Sequence, residues 1–150
     1  MSTRAMVHFH DVDEKGKPDP NPAAIIYRHG DGYPSGLGKV LVEFLKEVKK
    51  QCGVDTRFDD PGFLAAKWVV WDSSTTVNSY GEKDKPLKFL SVGVDTQDHG
   101  DIEYRYHVNC AGNKLWITCE ECSGWGAEME FSKPKVIHQE KDKTLKLRGK

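Results

Sequence analysis

Residues 25–45 read IIYRHGDGYPSGLGKVLVEFL, and this stretch predicts a short strand, a polar turn and an amphipathic helix. Ile25, Ile26 and Tyr27 are β-branched or aromatic and favour a strand, which the flexible Gly30 and Gly32 would end. Beyond the turn, apolar residues recur at the spacing of one helix face: Leu37, Val40, Leu41, Phe44, Leu45 and Val48. Ser35 is the predicted N-cap of this helix, and Gly53 the residue that follows its end.

The turn before this helix is a candidate anion-binding site. Backbone N–H groups at a helix N-terminus attract anions, and the predicted ligand-binding residues are Arg28, His29, Asp31, Tyr33, Ser35 and Gly36. The alternative is that the same residues only build a tight turn, with Asp31 bonded to its own backbone and His29 and Tyr33 packed. The stretch lacks both GxGxxG and GxxxxGK[ST], so it matches no nucleotide-binding fingerprint.

The run YRHGDGYP at residues 27–34 resembles the Y-x-H-W-D-G-Y-P signature of a family of small uncharacterised proteins of bacteria and their phages. The chain departs from that signature at Gly30, where the family usually has Trp. The pieces FLAA at residues 63–66 and HGDIEY at residues 99–104 are also similar to the family. The resemblance implies a compact intracellular domain and, by association, a phage counter-defence role, but no catalytic residues.

The composition predicts one intracellular domain. The chain has 150 residues, of which 37% are hydrophobic and 30% charged. A chain of this length and composition can bury one core without disulfide bonds or structural metals. Its formal net charge of -1 gives no field that would attract nucleic acid or a membrane. The sequence has no signal peptide or long apolar run, which favours a cytoplasmic location where the four cysteines stay reduced.

A first strand is predicted over residues 6–12, paired with residues 23–27. Val7 and Phe9 would lie on one side of it, and His8 and His10 on the other. His8, His10 and Asp11 have metal-ligand side chains, but the histidines are better explained as residues on the exposed face of an edge strand.

A second, buried helix is predicted over residues 61–71, capped by Asp60 and begun by Pro61. Its Trp68 and Trp71 are read as packing residues rather than a stacking platform for a ring or base. Residues 72–86 form a long polar connection, which is typical of a disordered segment or a functional lid.

The second half predicts strands. Residues 88–94 form one strand, and residues 102–110 alternate with Tyr104, Tyr106 and Val108 on the apolar face. A two-residue turn at Gly112-Asn113 pairs Ala111 with Lys114 and sets three apolar pairs: Cys110–Leu115, Val108–Ile117 and Tyr106–Cys119. A last strand is predicted over residues 126–131.

These elements predict a single α+β domain over residues 1–131, followed by a basic tail or edge segment over residues 132–150. The domain is expected to contain a mainly antiparallel sheet of about five to six strands with two helices packed on one face. Residues 133–150 hold seven basic residues, a pattern more typical of a solvated tail than of a nucleic-acid site.

Two constellations have the residue types of metal chemistry. Cys119 and Cys122, with Cys110 and His107 nearby, are zinc-ligand types, but the predicted strand turns His107 away from Cys110 and Cys119. His29 and Asp31, joined by Asp101 and Glu103, would hold a divalent ion that activates water. The sequence contains no strong catalytic motif.

The polar face of the predicted sheet is a candidate recognition surface, formed by Glu103, Arg105, His107, Asn109, Trp116 and Thr118. Plain solvation of that face is the alternative.

The function that the sequence favours is non-enzymatic binding of an anionic, nucleotide-like small ligand or of a host protein, without a metal or other cofactor. The alternative is a metal-dependent phosphoesterase or nuclease that uses His29, Asp31 and nearby carboxylates. The oligomeric state stays open, and a homo-oligomer is compatible with the sequence.

Overall fold

A computed structural model describes residues 3–75, 87, 90–111 and 114–141. The strands are β1 Ala5–Asp11, β2 Ala24–Arg28, β3 Val92–Asp95, β4 Tyr104–Cys110, β5 Lys114–Ser123, β6 Glu130–Phe131 and β7 Lys135–Lys141. The helices are α1 Lys39–Cys52 and α2 Pro61–Thr75, and a π-helical turn, Pro34–Gly38, precedes α1. Single 3-10 turns follow α1 at Gly53–Asp55 and precede β6 at Gly126–Glu128.

The strands form one seven-stranded sheet in the order β3-β2-β1-β4-β5-β6, with β7 also paired to β5. Every pairing is antiparallel except that of β1 with β4, which is parallel. Both helices lie in the connection between β2 and β3, and so within the long crossover that a parallel pair requires. The predicted α+β class, with a mainly antiparallel sheet, is confirmed.

The core lies between one face of the sheet and the two helices. Leu41, Phe44 and Leu45 of α1 are each 1% exposed and belong to the same buried cluster as Tyr106 and Val108 of β4. Val40 and Tyr104 are partly buried against this cluster. From α2, Leu64, Ala65 and Trp68 complete the layer, which confirms that the helices pack on the face predicted for them.

The β4–β5 hairpin has the predicted register. Cys110 lies opposite Leu115, Val108 opposite Ile117, and Tyr106 opposite Cys119. The N–H of Ala111 donates to the carbonyl of Lys114, as the predicted turn requires, although residues 112 and 113 themselves lie outside the described part of the chain. Turn chemistry and face polarity agreed on this register, and a one-residue slip would have exposed the whole apolar set.

The position of β1 differs from the prediction. It pairs with β2 as expected, but it is a central strand because β4 pairs along its other edge. The predicted exposed edge is therefore wrong, and His8 and His10 are buried at 7% and 5% exposure. A parallel partner about a hundred residues away leaves no local signal in the sequence of a strand.

Several element boundaries also differ from the predictions. Ser35 does not cap α1, because it lies inside the π-helical turn. The residue at the N-cap of that turn is Tyr33 and the one at the N-cap of α1 is Gly38, and neither makes a side-chain cap hydrogen bond. Helix α2 runs to Thr75 rather than to residue 71, while residues 76–86 of the predicted loop lie outside the described residues. The strand predicted over residues 126–131 is only Glu130–Phe131, since a 3-10 turn takes up Gly126–Glu128.

The segment expected to be a basic tail or an edge segment contributes a strand, since Lys135–Lys141 pairs with β5 as β7. Residues 142–150 lie outside the described part of the chain. None of the helices in the described ranges combines the length and apolar character that a membrane crossing requires.

Candidate metal centre

Three histidines meet on the face of the sheet opposite the helices. His8 and His10 are two residues apart on β1, so their side chains share a face, and the parallel register places His107 of β4 beside His8. The ring centroids lie 5.0 Å apart for His10 and His107, and 5.1 Å apart for His8 and His107. Each ring offers one nitrogen to a common group in which all three ligand atoms lie within 4.8 Å of one another. We call these three residues the histidine triad.

Hydrogen bonds on the outside of the triad fix which nitrogen of His10 and His107 carries a proton. Nδ1 of His10 lies 2.8 Å from the carbonyl oxygen of Asp19, which can only accept, so Nδ1 donates. Nε2 of His107 contacts the carboxylate of Glu120 and donates in the same way. In the neutral rings, Nε2 of His10 and Nδ1 of His107 then carry lone pairs, and these two atoms face each other at 2.8 Å. That contact is unfavourable unless a cation or a proton lies between them.

His8 follows the same pattern. Its Nε2 lies 2.6 Å from Oδ1 of Asp98, in the loop between β3 and β4, so this nitrogen donates to a carboxylate. Nδ1 of neutral His8 therefore keeps its lone pair. Each ring of the histidine triad is held by an outer acceptor, either a carboxylate or a backbone carbonyl. Metal-binding histidines show this arrangement, because the outer hydrogen bond fixes the tautomer and orients the ring toward the metal.

Arg105 of β4 holds the two outer carboxylates in place. Its Nε and Nη2 donate to the two oxygens of Glu120 at 3.1 and 2.8 Å, and its Nη1 donates to Oδ2 of Asp98 at 3.0 Å. The guanidinium also lies over the ring of Phe131, 3.5 Å from its centroid. Bidentate pairing of this kind is directional, so one side chain positions the acceptors of both His8 and His107.

The charge state of the outer groups follows from these contacts. Burial alone would raise the pKa of Glu120, but His107 and Arg105 outweigh that effect and lower the pKa to about 2. Burial likewise opposes ionisation of Asp98, while His8 and Arg105 keep its pKa below the ordinary value. Burial is also the main reason why the pKa of His10 falls to about 4. At neutral pH the two carboxylates are ionised and His10 is neutral, which is the form that binds a metal.

The geometry of the triad suits an imidazole-ligated transition metal. Nitrogens bound to a tetrahedral zinc ion at about 2.0–2.1 Å lie about 3.3 Å from one another. The 2.8 Å between Nε2 of His10 and Nδ1 of His107 comes within a small ring movement of that spacing. Within the described ranges, the triad is the one group of three or more His, Cys, Asp or Glu side chains close enough to share an ion.

The residues predicted to bind an anion lie elsewhere, and the turn uses its own polar groups. Arg28 is buried, with Nη1 2.6 Å from Oδ1 of Asp72 and Nε donating to the carbonyl of Gly30. The N–H of Gly36 donates to the carbonyl of Tyr33, and the N–H of Leu37 donates to that of Asp31. These donors are therefore engaged within the turn rather than presented to a ligand.

The exposed residues of the turn contact one another or their neighbours. His29 is exposed, and its Nδ1 lies 2.9 Å from the hydroxyl of Tyr27. The Tyr33 hydroxyl donates to Asp31 at 3.2 Å, and the nearby Asp31 carboxylate raises the pKa of Tyr33. Ser35 is also exposed. The anion-binding role of these residues stays a prediction.

Neither of the predicted metal constellations is the one that the fold assembles. Cys110 and Cys119 are buried in the core with the helices, on the opposite face from His107, as the predicted register required. Burial raises the pKa of Cys119 to about 11, which does not favour a thiolate ligand. Asp101 forms an ion pair with Arg4, and Glu103 is exposed, so neither joins His29 and Asp31 in a ligand group.

Part of the triad was visible in the sequence. The His-x-His spacing of His8 and His10 puts both rings on one face of a strand, whereas Asp11 points to the other face. The sequence also predicts that His107 lies on the polar face of its strand, but nothing in the sequence joins that face to β1. No sequence pattern marks Asp98 or Glu120 as part of the site, because their role depends on the contacts with His8 and His107 that form on folding. The predicted recognition surface is partly closed, with Asn109 only 3% exposed.

No family model matches this chain, and neither does any curated protein or solved structure. The likeness of residues 27–34 to the bacterial and phage signature stays a prediction from those residues.

Proposed function

We propose that this protein binds one divalent transition-metal ion through His8, His10 and His107. The observation that carries the proposal is the contact between Nε2 of His10 and Nδ1 of His107, whose other nitrogens both donate to outer acceptors. Two facing lone pairs in a buried site are stabilised by a cation between them.

The ligand type selects the class of metal. Imidazole nitrogen suits zinc, copper, nickel, cobalt and iron, whereas magnesium and calcium prefer oxygen ligands. The outer shell supports the same class: the ionised Asp98 and Glu120 offset part of the charge of a divalent ion and strengthen the histidines as ligands. The proposal replaces the ligand set predicted from the sequence, His29 and Asp31, with the histidine triad.

Zinc binding to the full chain tests the proposal. We expect one zinc ion per chain in isothermal titration calorimetry and in elemental analysis after dialysis. His10→Gln and His107→Gln should each lose this ion, because each removes one of three nitrogen ligands.

His99→Gln is the matched control. His99 also pairs with a carboxylate, Asp95, at 2.6 Å, but it lies outside the triad, so this variant should bind zinc as the parent does. Binding well below one equivalent by the parent would overturn the proposal. Equal zinc binding by the parent and by both triad variants would also overturn it.

The two functions predicted from the sequence remain proposals of a different kind. Binding of an anionic ligand or a host protein is motivated by the polar turn of residues 28–36 before a helix N-terminus. A phage counter-defence role is motivated, by association, by the resemblance of residues 27–34, 63–66 and 99–104. A metal-dependent phosphoesterase or nuclease is supported by the number of protein ligands, since catalytic zinc sites keep three and leave one position for water.

A further inference from the structure

We infer that a small anion binds directly to the metal, at the coordination position that the histidine triad leaves open. This inference rests on the proposed metal binding and adds the class of ligand: a monoanion with a carboxylate or similar oxygen donor. The triad supplies three nitrogens, and a tetrahedral ion takes four ligands.

The nearby carboxylates are committed to other contacts. Both oxygens of Glu120 accept hydrogen bonds, one from His107 and Arg105 and the other from Arg105. Asp98 gives one oxygen to His8 and the other to Arg105. Both carboxylates lie against the outer Nε2 atoms of the imidazole rings, and neither belongs to the ligand group. The fourth ligand therefore comes from outside the described residues.

The charge of the loaded site selects an anion. A divalent ion and Arg105 together carry three positive charges, and the carboxylates of Asp98 and Glu120, both ion-paired with Arg105 at 3.0 and 2.8 Å, offset two of them. One positive charge remains in a site where burial weakens screening by water. A monoanion neutralises that charge, whereas a second cation or a neutral ligand does not.

Access to the site limits the size of the ligand. His8 and His10 are almost fully buried, while the side chains of His107 and Arg105 keep 17% and 20% of their surface exposed. The open side of the site is therefore next to β4 rather than β1. Because so little of these side chains is exposed, the site suits a small anion rather than a polymer.

Replacing zinc with cobalt allows binding of the fourth ligand to be followed by absorption spectroscopy. The full chain is loaded with Co²⁺, the bound cobalt is measured, and the visible absorption is then followed while sodium acetate is added at constant ionic strength. We expect one cobalt per chain and a saturable change in the cobalt bands, because acetate replaces a water molecule on the metal. The metal-free chain should not bind acetate under the same conditions in calorimetry.

Two variants that each remove one positive charge test whether acetate affinity depends on a charge at the site or only on the net charge of the chain. Arg105→Gln should weaken acetate binding about tenfold, since it removes the positive charge paired with both outer carboxylates of the site. Lys114→Gln is the control, because Lys114 lies over the ring of Trp116 on the neighbouring strand, outside the ligand group, and should leave acetate affinity unchanged. If Arg105→Gln fails to load cobalt, the acetate titration of the parent chain still decides the inference.

The outcomes distinguish this inference from the proposed function. Failure to bind cobalt would overturn the metal site itself. One bound cobalt with bands that acetate and inorganic phosphate leave unchanged would keep the metal site and overturn the inference. Equal anion binding by the metal-free chain, lost in His29→Ala, would also overturn it and would place the anion at the turn of residues 28–36 instead.

Discussion

At the scale of single residues, Arg28 shows how burial changes the role of a charged side chain. The sequence places it beside a glycine-rich turn, where it resembles an anion ligand. In the fold it is 6% exposed and paired with Asp72, whose carboxylate also accepts a hydrogen bond from Ser91 at 2.7 Å. The pair links β2 to α2 and so contributes to stability rather than to a ligand surface.

We expect Arg28→Ala to lower the free energy of unfolding by about 3–5 kcal/mol, because it removes the guanidinium that pairs with the buried carboxylate of Asp72. Urea denaturation followed by circular dichroism measures the loss. Arg57→Ala is the control, since Arg57 is 43% exposed and lies 4.0 Å from Asp60, and such surface pairs contribute about 0–1 kcal/mol. Similar effects of the two substitutions would contradict the structural role assigned to Arg28.

At the scale of elements, the turn before α1 depends on a glycine that has no room for a side chain. A Cβ atom at Gly36 would lie 2.5 Å from the carbonyl oxygen of Asp31 and 2.9 Å from the ring of Tyr33. At Gly30, in the same turn, a Cβ atom would meet nothing within 4 Å. The close approach at Gly36 explains how the chain forms a π-helical turn there instead of a capped α-helix.

Gly36→Ala should therefore destabilise the protein by about 1–3 kcal/mol, since the backbone of the turn at Asp31 must move away from the added Cβ atom. Gly30→Ala is the matched control and should change the free energy of unfolding by less than about 0.5 kcal/mol. Thermal melts of both variants provide the test. An equal, small effect at the two positions would show that a side chain fits at Gly36, contrary to the close contacts in the structure.

Helix α1 contributes to the core through one stripe of side chains, which the apolar periodicity predicted. Leu41→Ala and Phe44→Ala should each cost about 2–5 kcal/mol, because both side chains are 1% exposed and their removal leaves a cavity. Val70→Ala on α2 is the control, since Val70 is 69% exposed and should cost less than about 0.5 kcal/mol. Chemical denaturation of the three variants compares them, and a small loss at Leu41 would contradict the arrangement of layers.

At the scale of the whole molecule, the core and the histidine triad lie on opposite faces of the sheet. The core does not include the triad, so the chain should stay folded without a metal. We expect a chelator to leave the far-ultraviolet circular dichroism spectrum unchanged. Added zinc should raise the melting temperature, because binding adds about 2.7 kcal/mol to the free energy of unfolding when the zinc concentration is a hundred times the dissociation constant. His107→Gln should remove that increase, and unfolding by the chelator would show instead that the metal is structural.

The sequence determined the parts of this protein that depend on neighbours in the chain. The stripe of α1, the start of α2 at Pro61 and the register of the β4–β5 hairpin all follow from side chains a few residues apart or joined by a tight turn. The hairpin register also predicted that Cys110 and Cys119 would be separated from His107. Each of these features is local, because helix periodicity and strand alternation repeat within one element.

Only the tertiary structure decided where β1 lies and what its histidines do. The parallel pairing of β1 with β4 joins His8 to His107 across 99 residues, and the loop before β4 brings Asp98 to His8. Neither contact has a local pattern, since a parallel pair has no turn to fix its register and a loop carboxylate acquires its partner only on folding. The candidate metal site therefore arises from the topology of the sheet, while its separate ligands are ordinary polar residues in the sequence.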